Sequence, residues 1–553
     1  MLPYVNIPFV YLSGKIGAAP DDLKLVATFL LSYPLAGVLK RIPDSKPHHK
    51  NLFSIAIALF YLVGLFDLWT GLRTLFISSA AAYAIAKYLR GSPYMPWVGF
   101  LFLMGHMSAN QLRRQFANSP QTADITGAQM VMVMKLSAFC WNVADGTLPD
   151  DQLSDFQRDR VIRELPSLLD YAGYVLFFPS LLAGPAFDYA EYRRWLDTSM
   201  FDTPAAVDPV RKAPTRKKRR IPRSATPAIL TLMTGLGWTL AFVYLSSYYH
   251  ADLVTGPEYM RYSFLRRVFI LHMFNFTARC KYYGAWSLAE GSCILAGLGY
   301  NGVDPVTGKV AWDRVQNIYP WGVESAQNTR AYIENWNKKT NMWLRNYIYL
   351  RVTPRGKKPG FRASMATFVT SATWHGFYPG YYLTFVLASF IQTVAKNFRR
   401  YCRPFFLDPV TQKPLPSKRL YDVFSYLVTQ VTFTFATTPF LLLAMDTSLL
   451  VWSRVYFYAV GGIIASMAFF ASPAKQVLRK KLEERQAKAA GSNGGKGRGA
   501  PLQRISSTDS INRLPVLGIS GDPAREVDEA MAELKSEIEL RARRSSVAAQ
   551  NKG

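Results

Sequence analysis

The stretch ATPAILTLMTGLGWTLAFVYLSSYY, residues 225–249, contains no charged side chain. The hydrocarbon core of a bilayer is about 30 Å thick, and a helix of about 20 apolar residues crosses it. This stretch therefore predicts a membrane-spanning helix. Comparable apolar blocks recur near residues 24–39, 52–69, 71–89, 94–108, 127–143, 168–183, 264–282, 284–299, 361–378, 380–396, 421–443 and 451–471. Together the blocks predict an all-α polytopic membrane protein with about ten to twelve spanning helices.

The composition agrees with a protein that lies in a membrane. Half of the 553 residues are hydrophobic, 14% are aromatic, and the formal net charge is +28. On a soluble chain that charge would suggest nucleic-acid binding. Between apolar spans it indicates basic loops that face anionic lipid and the cytosol, so no nucleic-acid partner is expected. The four cysteines have no metal-binding or disulfide spacing, and we expect all of them to be reduced and structural.

Three basic connectors predict the orientation of the chain in the membrane. A basic insert at 209–224 contains RKAPTRKKRRIPR (211–223), with eight basic and no acidic side chains. Residues 351–358 carry four basic side chains, and 475–498 are again rich in Lys and Arg. Because basic loops stay on the cytosolic side, all three are predicted to be cytosolic. A nuclear localisation signal at 211–223 is the competing interpretation, which a chain threaded through a membrane disfavours.

The composition changes near residue 473. We predict a multi-spanning domain over residues 1–472 and a cytosolic, largely disordered tail over 473–553. Within the tail, GSNGGKGRGAP (491–501) is typical of a flexible linker. Residues 522–544 place apolar side chains at helical spacing among charged ones, which predicts an amphipathic helix. This helix could associate with another copy, lie on the membrane, or dock loosely by itself.

One histidine lies in unusual surroundings. His375 belongs to SATWHGFYPGYYLTF (371–385), an apolar and strongly aromatic segment. Ionisable groups at membrane depth are costly and are therefore functional candidates. A neutral imidazole at this position could accept a proton from an alcohol, although position alone equally allows a core histidine. His106 and His272 also fall inside apolar runs and could be core residues bonded to a backbone carbonyl.

A second candidate is ENWNKKTNMWLRNYIYLRV, residues 334–352, where asparagines alternate with Trp and Tyr. Asn337 and Asn341 are four residues apart and would share one face of a helix. Such a face could line a polar tunnel in a membrane enzyme. An interfacial aromatic belt with capping asparagines is the alternative, and the residues alone leave both open. The block 341–352 is predicted to be a short, amphipathic element that does not span the membrane.

Taken together, WNKKTNMWLRNYIYLR (336–351) and ATWHGFYPGYY (372–382) resemble the signature of the membrane-bound O-acyltransferase family. The form of the motifs is similar to the lysophospholipid acyltransferase branch, especially its broad-specificity fungal members. DITGAQMVMVMKLSAF (124–139) and FFPSLLAGPAFDYAEYRRW (177–195) precede them in family order. The resemblance covers most of residues 20–470 and leaves out the basic insert and the tail.

The resemblance implies the family fold, a bundle of about eleven membrane helices around a tunnel that meets both cytosol and bilayer. It implies an enzyme of the endoplasmic reticulum membrane that takes acyl-CoA and a lysophospholipid, without a cofactor or a metal. The catalytic histidine falls on His375 and the catalytic asparagine on Asn337. Neighbouring motif side chains are predicted to bind substrate: Trp336, Asn341, Trp343, Arg345, Tyr347, Trp374 and Tyr378.

These residue types suit acyl transfer. His375 would deprotonate the acceptor hydroxyl as it attacks the thioester carbon, and Asn337 would hold the acceptor or donate its amide N–H to the developing oxyanion. Ser371 is expected to bond the backbone of its own helix rather than act as a nucleophile. A basic rim that attracts the phosphates of CoA is predicted on the connector between the motifs, at Arg351, Arg355, Lys357 and Lys358. The simpler alternative is that these charges only set topology.

Other functions stay open at this point. A related enzyme could use a sterol, a diacylglycerol or a secreted protein as acceptor, although the form WNKKTNMWLRNYIYLR favours a lysophospholipid. A membrane scaffold or transporter is the alternative from a different class. Self-association through membrane helices or the tail is also left open.

Overall fold

The computed structural model describes residues 4–16, 19–117, 124–202, 215, 219–304, 307–353 and 361–492. Within these ranges the protein is built from α-helices, joined by short 3₁₀ and π-helical turns, and it forms no β-structure beyond isolated bridges. The α-helices are α1 (Ile7–Ile16), α2 (Pro20–Arg41), α3 (Pro47–Leu59), α4 (Trp69–Tyr88), α5 (Met95–Phe116), α6 (Thr126–Asp145), α7 (Asp155–Arg160), α8 (Leu168–Val175), α9 (Tyr189–Leu196), α10 (Ala225–Ser246), α11 (Ala251–Thr255), α12 (Phe264–Ala296), α13 (Pro320–Glu324), α14 (Thr329–Asn335), α15 (Lys338–Leu344), α16 (Phe361–His375), α17 (Pro379–Tyr401), α18 (Lys418–Leu442), α19 (Met445–Arg454), α20 (Tyr458–Ala471) and α21 (Ala474–Ser492). The predicted all-α class is confirmed.

The outer surface of the helices is apolar. Helix α10 buries only Ala228 and Gly235, and it leaves large apolar side chains exposed along its length. These are Ile229, Leu230, Met233, Leu240, Val243 and Tyr244. Helices α18 and α20 expose apolar side chains in the same way. A continuous apolar surface of this kind suits lipid rather than water, as expected of a membrane protein.

Helix α12 is the longest helix of the described residues and supports much of the bundle. It packs along α10, α2 and α18. Glycines let α10 and α12 approach closely: a Cβ on Gly235 would lie 2.9 Å from Leu288, and one on Gly284 would lie 2.4 Å from Thr239. Small residues at such contacts are typical of helix pairs in membranes.

Helix α6 lies at the centre of the bundle. Most of its side chains are buried, and it packs against α4, α5 and α15. The prediction of a span at 127–143 thus coincides with the most enclosed helix. Because α6 contacts the helix that follows Asn337, it positions one wall of the candidate site.

The predicted spans differ from the structure in three places. The blocks 264–282 and 284–299 form one continuous helix, α12 (Phe264–Ala296), which continues through Gly284 because close packing against α10 supports the helix there. The block 168–183 forms only the short helix α8 and a 3₁₀ turn at Phe178–Ser180, where Pro179 removes a backbone donor. The block 451–471 is divided between α19 and α20, which are bent by 77°.

By length and composition alone, two described stretches qualify as membrane spans, Pro20–Arg41 and Ala225–Thr255. The bent pair α19 and α20 adds a third if it is counted as one span. The number of about eleven spans therefore stays a prediction. Many of the other long helices carry charged or buried polar residues, which lower their mean hydropathy. Such residues are tolerated inside a membrane protein where neighbouring helices supply their hydrogen-bond partners.

The first part of the predicted tail is helical. Helix α21 covers Ala474–Ser492, and Arg485 donates hydrogen bonds to the carbonyls of Phe405 (2.7 Å) and Leu407 (3.1 Å). The prediction had assigned no helix to this part of the tail. The predicted linker at 491–501, apart from residues 491 and 492, and the predicted amphipathic helix at 522–544 lie outside the described residues, as does most of the basic insert.

All four cysteines are free, and Cys140, Cys280 and Cys293 are buried. This arrangement agrees with the expected absence of disulfide pairing, and the structural role of the cysteines stays a prediction. His106 and His272 do lie inside helices, but their Nδ1 atoms pair with the hydroxyls of Ser78 (3.0 Å) and Thr434 (2.9 Å). Hydroxyls on neighbouring helices thus take the place of the backbone carbonyls considered from the sequence.

Candidate active site

Asn337 lies where the chain turns into α15. Its backbone is left-handed, with φ 42° and ψ 56°, and Lys338 is the first residue of the helix. Non-glycine residues seldom adopt this conformation, and asparagine tolerates it better than most. Such an outlier at a predicted catalytic position is consistent with a backbone held by its surroundings for a functional reason.

The side chain of Asn337 does not cap its own helix. An asparagine at this position normally accepts a backbone N–H of the first turn through its side-chain oxygen. Here no such bond forms. Instead, Oδ1 of Asn337 accepts the hydroxyl hydrogen of Thr340 at 2.8 Å. The amide nitrogen Nδ2 takes no part in this bond with Thr340.

Neighbouring residues fix the start of α15. The backbone N–H of Lys338 donates to the carbonyl of Asn317 at 2.8 Å, and its ammonium donates to Gln316 at 2.6 Å. Asn341 turns back and donates to the carbonyls of Ile333 (2.8 Å) and Trp336 (2.7 Å). Asn341 therefore ties α15 to the end of α14. Its amide is occupied by the backbone and does not line a polar face beside Asn337.

A buried charged cluster lies behind this turn. Arg160 donates to Asp188 at 2.7 Å, and Arg314 lies 3.6 Å from Glu191. Lys339 is buried and donates to the carbonyl of Arg314. Buried charges of this kind are costly unless they are paired, and paired clusters hold their segments in one arrangement. The cluster therefore fixes the segment that carries Asn337.

A small cavity adjoins the cluster. Its volume is about 20 Å³, which is enough for about one water molecule and far too small for an acyl chain. Lys135, Asp188 and Lys339 line it, together with Trp343 and Tyr347.

His375 is the last residue of α16 and is half-buried. Its Nδ1 lies 2.7 Å from the carbonyl oxygen of Ser371. Since a carbonyl can only accept, Nδ1 must carry the hydrogen and donate it. The other nitrogen, Nε2, then keeps its lone pair and can accept a proton. Ser371 thus contributes its backbone carbonyl to orient the imidazole.

Aromatic rings surround His375. The ring centroids of Trp374, Phe385, Phe440 and Tyr381 lie 4.7, 4.9, 5.1 and 5.8 Å from the centroid of the imidazole. Apolar walls disfavour a charged imidazole and exclude water. The ring is therefore held neutral, as a general base requires.

The turn after His375 is held by a residue that the motifs do not contain. Gln111 of α5 is buried and donates from Nε2 to the carbonyl of Trp374 at 2.8 Å. Gly376 follows with φ 128°, a left-handed conformation in which a side chain would be strained. Gln111 therefore satisfies one of the carbonyls that a helix leaves unpaired at its end. Within the described residues its own Oε1 is buried without a partner.

The two motifs meet through their tryptophans. The ring centroids of Trp343, six residues after Asn337, and Trp374, next to His375, are 6.1 Å apart. Trp343 Nε1 donates to Ser137 Oγ at 2.8 Å, and Trp374 Nε1 donates to the carbonyl of Met130 at 3.0 Å. Ser137 and Met130 both belong to α6, so this helix holds the two motifs side by side.

The remaining predicted binding residues have protein partners. Trp336 is half-buried against the α12 side chains Tyr282 and Trp286, with ring centroids 5.7 and 5.4 Å away. The hydroxyl of Tyr347 is buried and donates to Asn142 at 3.1 Å. Tyr378 is half-buried at the start of α17. Trp343, Tyr347 and Trp374 thus have their donors occupied and contribute apolar walls.

Arg345 is the exception among these residues. It lies in the π-helical turn Arg345–Tyr349 and donates to Asn346 Oδ1 at 2.9 Å. In the described part of the chain its Nε is buried without a hydrogen-bond partner. A guanidinium with a spare buried donor suits an anionic or carbonyl group of a substrate.

Arg351 does not belong to a phosphate rim. Its guanidinium donates two hydrogen bonds to Asp145, at 2.7 and 2.6 Å, and lies 4.5 Å from the centroid of the Trp141 ring. The side chains of the pair are only 12% and 2% exposed. The charge of Arg351 is thus neutralised inside the protein, and this part of the prediction was wrong. Arg355, Lys357 and Lys358 lie outside the described residues.

Comparisons with known proteins agree with these motifs. Residues 117–438, more than half of the chain, match the profile of MBOAT, the membrane-bound O-acyltransferase family. The chain is 45% identical over 481 residues to a lysophospholipid acyltransferase of Schizosaccharomyces pombe, covering 87% of this chain and 92% of that protein. It is 42% identical over 456 residues to a lysophospholipid acyltransferase of Saccharomyces cerevisiae, covering 81% and 73% of the two chains. A human protein named membrane-bound glycerophospholipid O-acyltransferase 2 is 29% identical over 425 residues, covering 75% and 77%. The motif that holds Asn337, the motif that holds His375 and the whole of α6 fall inside the matched region, and the chain belongs to the membrane-bound O-acyltransferase family.

Proposed function

We propose that this protein transfers a fatty acyl group from acyl-CoA to the free hydroxyl of a lysophospholipid. Two fungal relatives with that name are 45% and 42% identical to this chain over most of its length. The observation that carries the chemistry is the imidazole of His375. Its Nδ1 is bonded to the carbonyl of Ser371, so Nε2 is the proton acceptor, in an aromatic environment beside the asparagine motif.

The reaction begins at the acceptor hydroxyl. Nε2 of His375 takes the hydroxyl proton while the oxygen attacks the thioester carbon. The carbonyl double bond becomes an oxyanion, and then re-forms as the C–S bond breaks. The departing CoA thiolate receives the proton from the imidazolium, which restores the neutral histidine. The products are a diacyl phospholipid and free CoA.

Asn337 stabilises the negative charge that develops on the thioester oxygen. Its Oδ1 already accepts from Thr340, so the group that remains for the substrate is the N–H of Nδ2. A donor fixed before the reaction needs no reorganisation in the transition state, which makes such groups effective in catalysis. The aromatic walls formed by Trp343 and Trp374 keep water away from the thioester.

The substrates differ in where they come from. We place the reaction site in a tunnel within a bundle of about eleven membrane helices, which acyl-CoA enters from the cytosol and the lysolipid enters from the bilayer. The apolar outer faces of α10, α18 and α20 support contact with lipid acyl chains. We place the protein in the endoplasmic reticulum membrane with a cytosolic C-terminus, because the last spans lead into a basic segment. In sealed microsomes, external protease is then expected to remove the chain beyond α21, whereas full protection would reverse the orientation.

The CoA phosphates are expected to meet a basic rim formed by Arg355, Lys357 and Lys358. Arg351 is excluded because Asp145 neutralises it. Replacing the three rim residues together by Gln is expected to raise the KM for acyl-CoA several-fold and to weaken its salt dependence, with an unchanged KM for lysolipid. Unchanged KM and salt dependence, with normal expression and topology, would mean that these charges only orient the chain.

An acyl-transfer assay tests the proposed function. Purified full-length protein is incubated with acyl-CoA and a panel of lysophospholipids, and with a sterol, a diacylglycerol and a peptide as competing acceptor classes. We expect diacyl phospholipid to form with at least one lysophospholipid, and its formation to be lost in His375→Ala. Transfer only to one of the other acceptors would overturn the substrate class, while transfer by His375→Ala at the native rate would overturn the mechanism.

A further inference from the structure

Thr340 is a buried hydroxyl close to a reacting group. It lies in the first turn of α15, three residues after Asn337, and is 3% exposed. Its Oγ1 lies 2.8 Å from Asn337 Oδ1 and 3.3 Å from the sulfur of Met134 on α6. Among the described residues the hydroxyl thus has two side-chain acceptors within reach, and it has a single hydrogen to donate.

The amide oxygen is the better of the two acceptors. A thioether sulfur accepts hydrogen bonds only weakly, and the contact with the amide oxygen is also shorter. If the amide were turned over, Nδ2 would donate to Thr340, and the hydroxyl hydrogen would be left to the sulfur. In the structure the hydroxyl of Thr340 donates to Oδ1 of Asn337. The hydroxyl hydrogen is then used on the amide oxygen, and the two N–H groups of Asn337 are not part of this contact.

The left-handed backbone of Asn337 makes this contact necessary. In the extended conformation usual at the start of a helix, the asparagine oxygen would be fixed by a backbone N–H of the first turn. With φ 42° that bond is absent. Rotation of the side-chain amide by half a turn would then exchange its donor for its acceptor at little steric cost, unless another group distinguishes the two ends.

We propose that Thr340 is a positioning residue that selects the donor orientation of the Asn337 amide. It does so by occupying Oδ1, so that Nδ2 faces the thioester oxygen. The proposal rests on the proposed function, because it needs Asn337 to act as a donor to the developing oxyanion. Thr340 touches no reacting atom in this scheme, and its effect passes through Asn337.

Thr340→Val tests the proposal, since valine has almost the same shape and lacks the hydroxyl. We expect kcat to fall by about three- to tenfold, the value of one oriented hydrogen bond, with KM for both substrates within about twofold of the native values. Thr340→Ser, which keeps the hydroxyl, is expected to restore most of kcat. Thr28→Val is a matched control, because Thr28 is equally buried on α2 and bonds only the carbonyl of Lys24 in its own helix.

A double-mutant cycle with Asn337→Gly separates positioning from a general structural role. In the Asn337→Gly background there is no amide to orient, so Thr340→Val is expected to change kcat by less than about twofold. A loss as large as in the native background would show that the hydroxyl acts through the fold, and would overturn the proposal. Native kcat in Thr340→Val alone would overturn it as well.

The same experiment distinguishes this inference from the proposed function. If Asn337→Gly loses activity while Thr340→Val does not, only the positioning role fails. If Asn337→Gly keeps native activity, both the role of Asn337 and that of Thr340 are overturned. A fall in the melting temperature of Thr340→Val beyond that of Thr28→Val, with no rescue by Thr340→Ser, would also count against positioning.

Discussion

Asn337→Asp reverses the hydrogen-bonding character of one atom while it keeps the size of the side chain. The carboxylate oxygen that replaces Oδ1 still accepts from Thr340. The oxygen that replaces Nδ2 can no longer donate, and it carries negative charge. The substitution therefore distinguishes a donor to the oxyanion from an acceptor that holds the lysolipid hydroxyl.

The size of the effect follows from the donor role. Removal of one preorganised oxyanion donor typically lowers kcat by about 10²–10³. The carboxylate of Asn337→Asp would add repulsion to the developing oxyanion, so we expect a loss of at least about 100-fold. In Asn337→Gly the space is free for a water molecule to donate instead, and we expect a smaller loss of about tenfold or more. Glycine is the better deletion here than alanine, because it adopts φ 42° without strain.

Initial rates with a purified full-length enzyme, one acyl-CoA and one lysophospholipid give kcat and KM for each variant. Expression, size-exclusion behaviour and the melting temperature of each variant establish that it is folded. The donor role predicts the order native, Asn337→Gly, Asn337→Asp in decreasing kcat. Activity of Asn337→Asp within about threefold of the native enzyme, or above that of Asn337→Gly, would refute it, because only an acceptor is preserved by that change.

Three further substitutions test the surroundings of the site. His375→Ala is expected to lower kcat by about 10²–10⁴ with the protein still folded, as loss of a general base does; near-native activity would remove the catalytic assignment. Gln111→Leu leaves the carbonyl of Trp374 without its side-chain donor, and we expect kcat to fall by about three- to tenfold; unchanged kcat would make that bond dispensable. Arg351→Ala removes the ion-pair partner of the buried Asp145 and leaves Gln157 as its side-chain donor, which is expected to destabilise the protein by about 3–5 kcal/mol, seen as a lower melting temperature. A raised KM for acyl-CoA at native stability would instead return Arg351 to the phosphate rim.

The helical class follows from the sequence because apolar blocks of bilayer length permit no other structure in lipid. The boundaries do not follow so directly. Lys281 lies at the end of the block 264–282 and Gly284 begins the block 284–299, yet α12 continues through both residues. A helix backbone depends on local hydrogen bonds, which one polar side chain does not break. The hydropathy pattern therefore divides a long helix at polar residues, although the helical backbone continues through them.

The candidate site was only partly predictable. His375 and Asn337 stand out by residue type, but the basic charge of Arg351 gives no sign that Asp145 neutralises it. Those two residues are more than 200 positions apart, and a buried ion pair between distant segments leaves no periodic signal. Gln111 was missed as well, because its partner Trp374 is distant in the sequence. It lies in a polar stretch at the end of an apolar helix, where a glutamine is not conspicuous. The segment 124–139 could have indicated part of the site. It contains Ser137 and Met130, which accept hydrogen bonds from Trp343 and Trp374.

Asn337 and His375, the two proposed catalytic residues, are located at helix ends, and this explains why the hydrophobic pattern could not place them. α15 begins directly after Asn337, and α16 ends at His375, where Gly376 reverses the backbone. Helix ends leave backbone groups unpaired, so they need partners from elsewhere in the chain, here Gln111 for the carbonyl of Trp374. Periodicity describes the interior of a helix and carries little information about its ends. Because the helix does not continue past it on one side, a side chain at a helix end is not covered there by a further turn of its own helix. The positions proposed for the chemistry are therefore those that the pattern describes least.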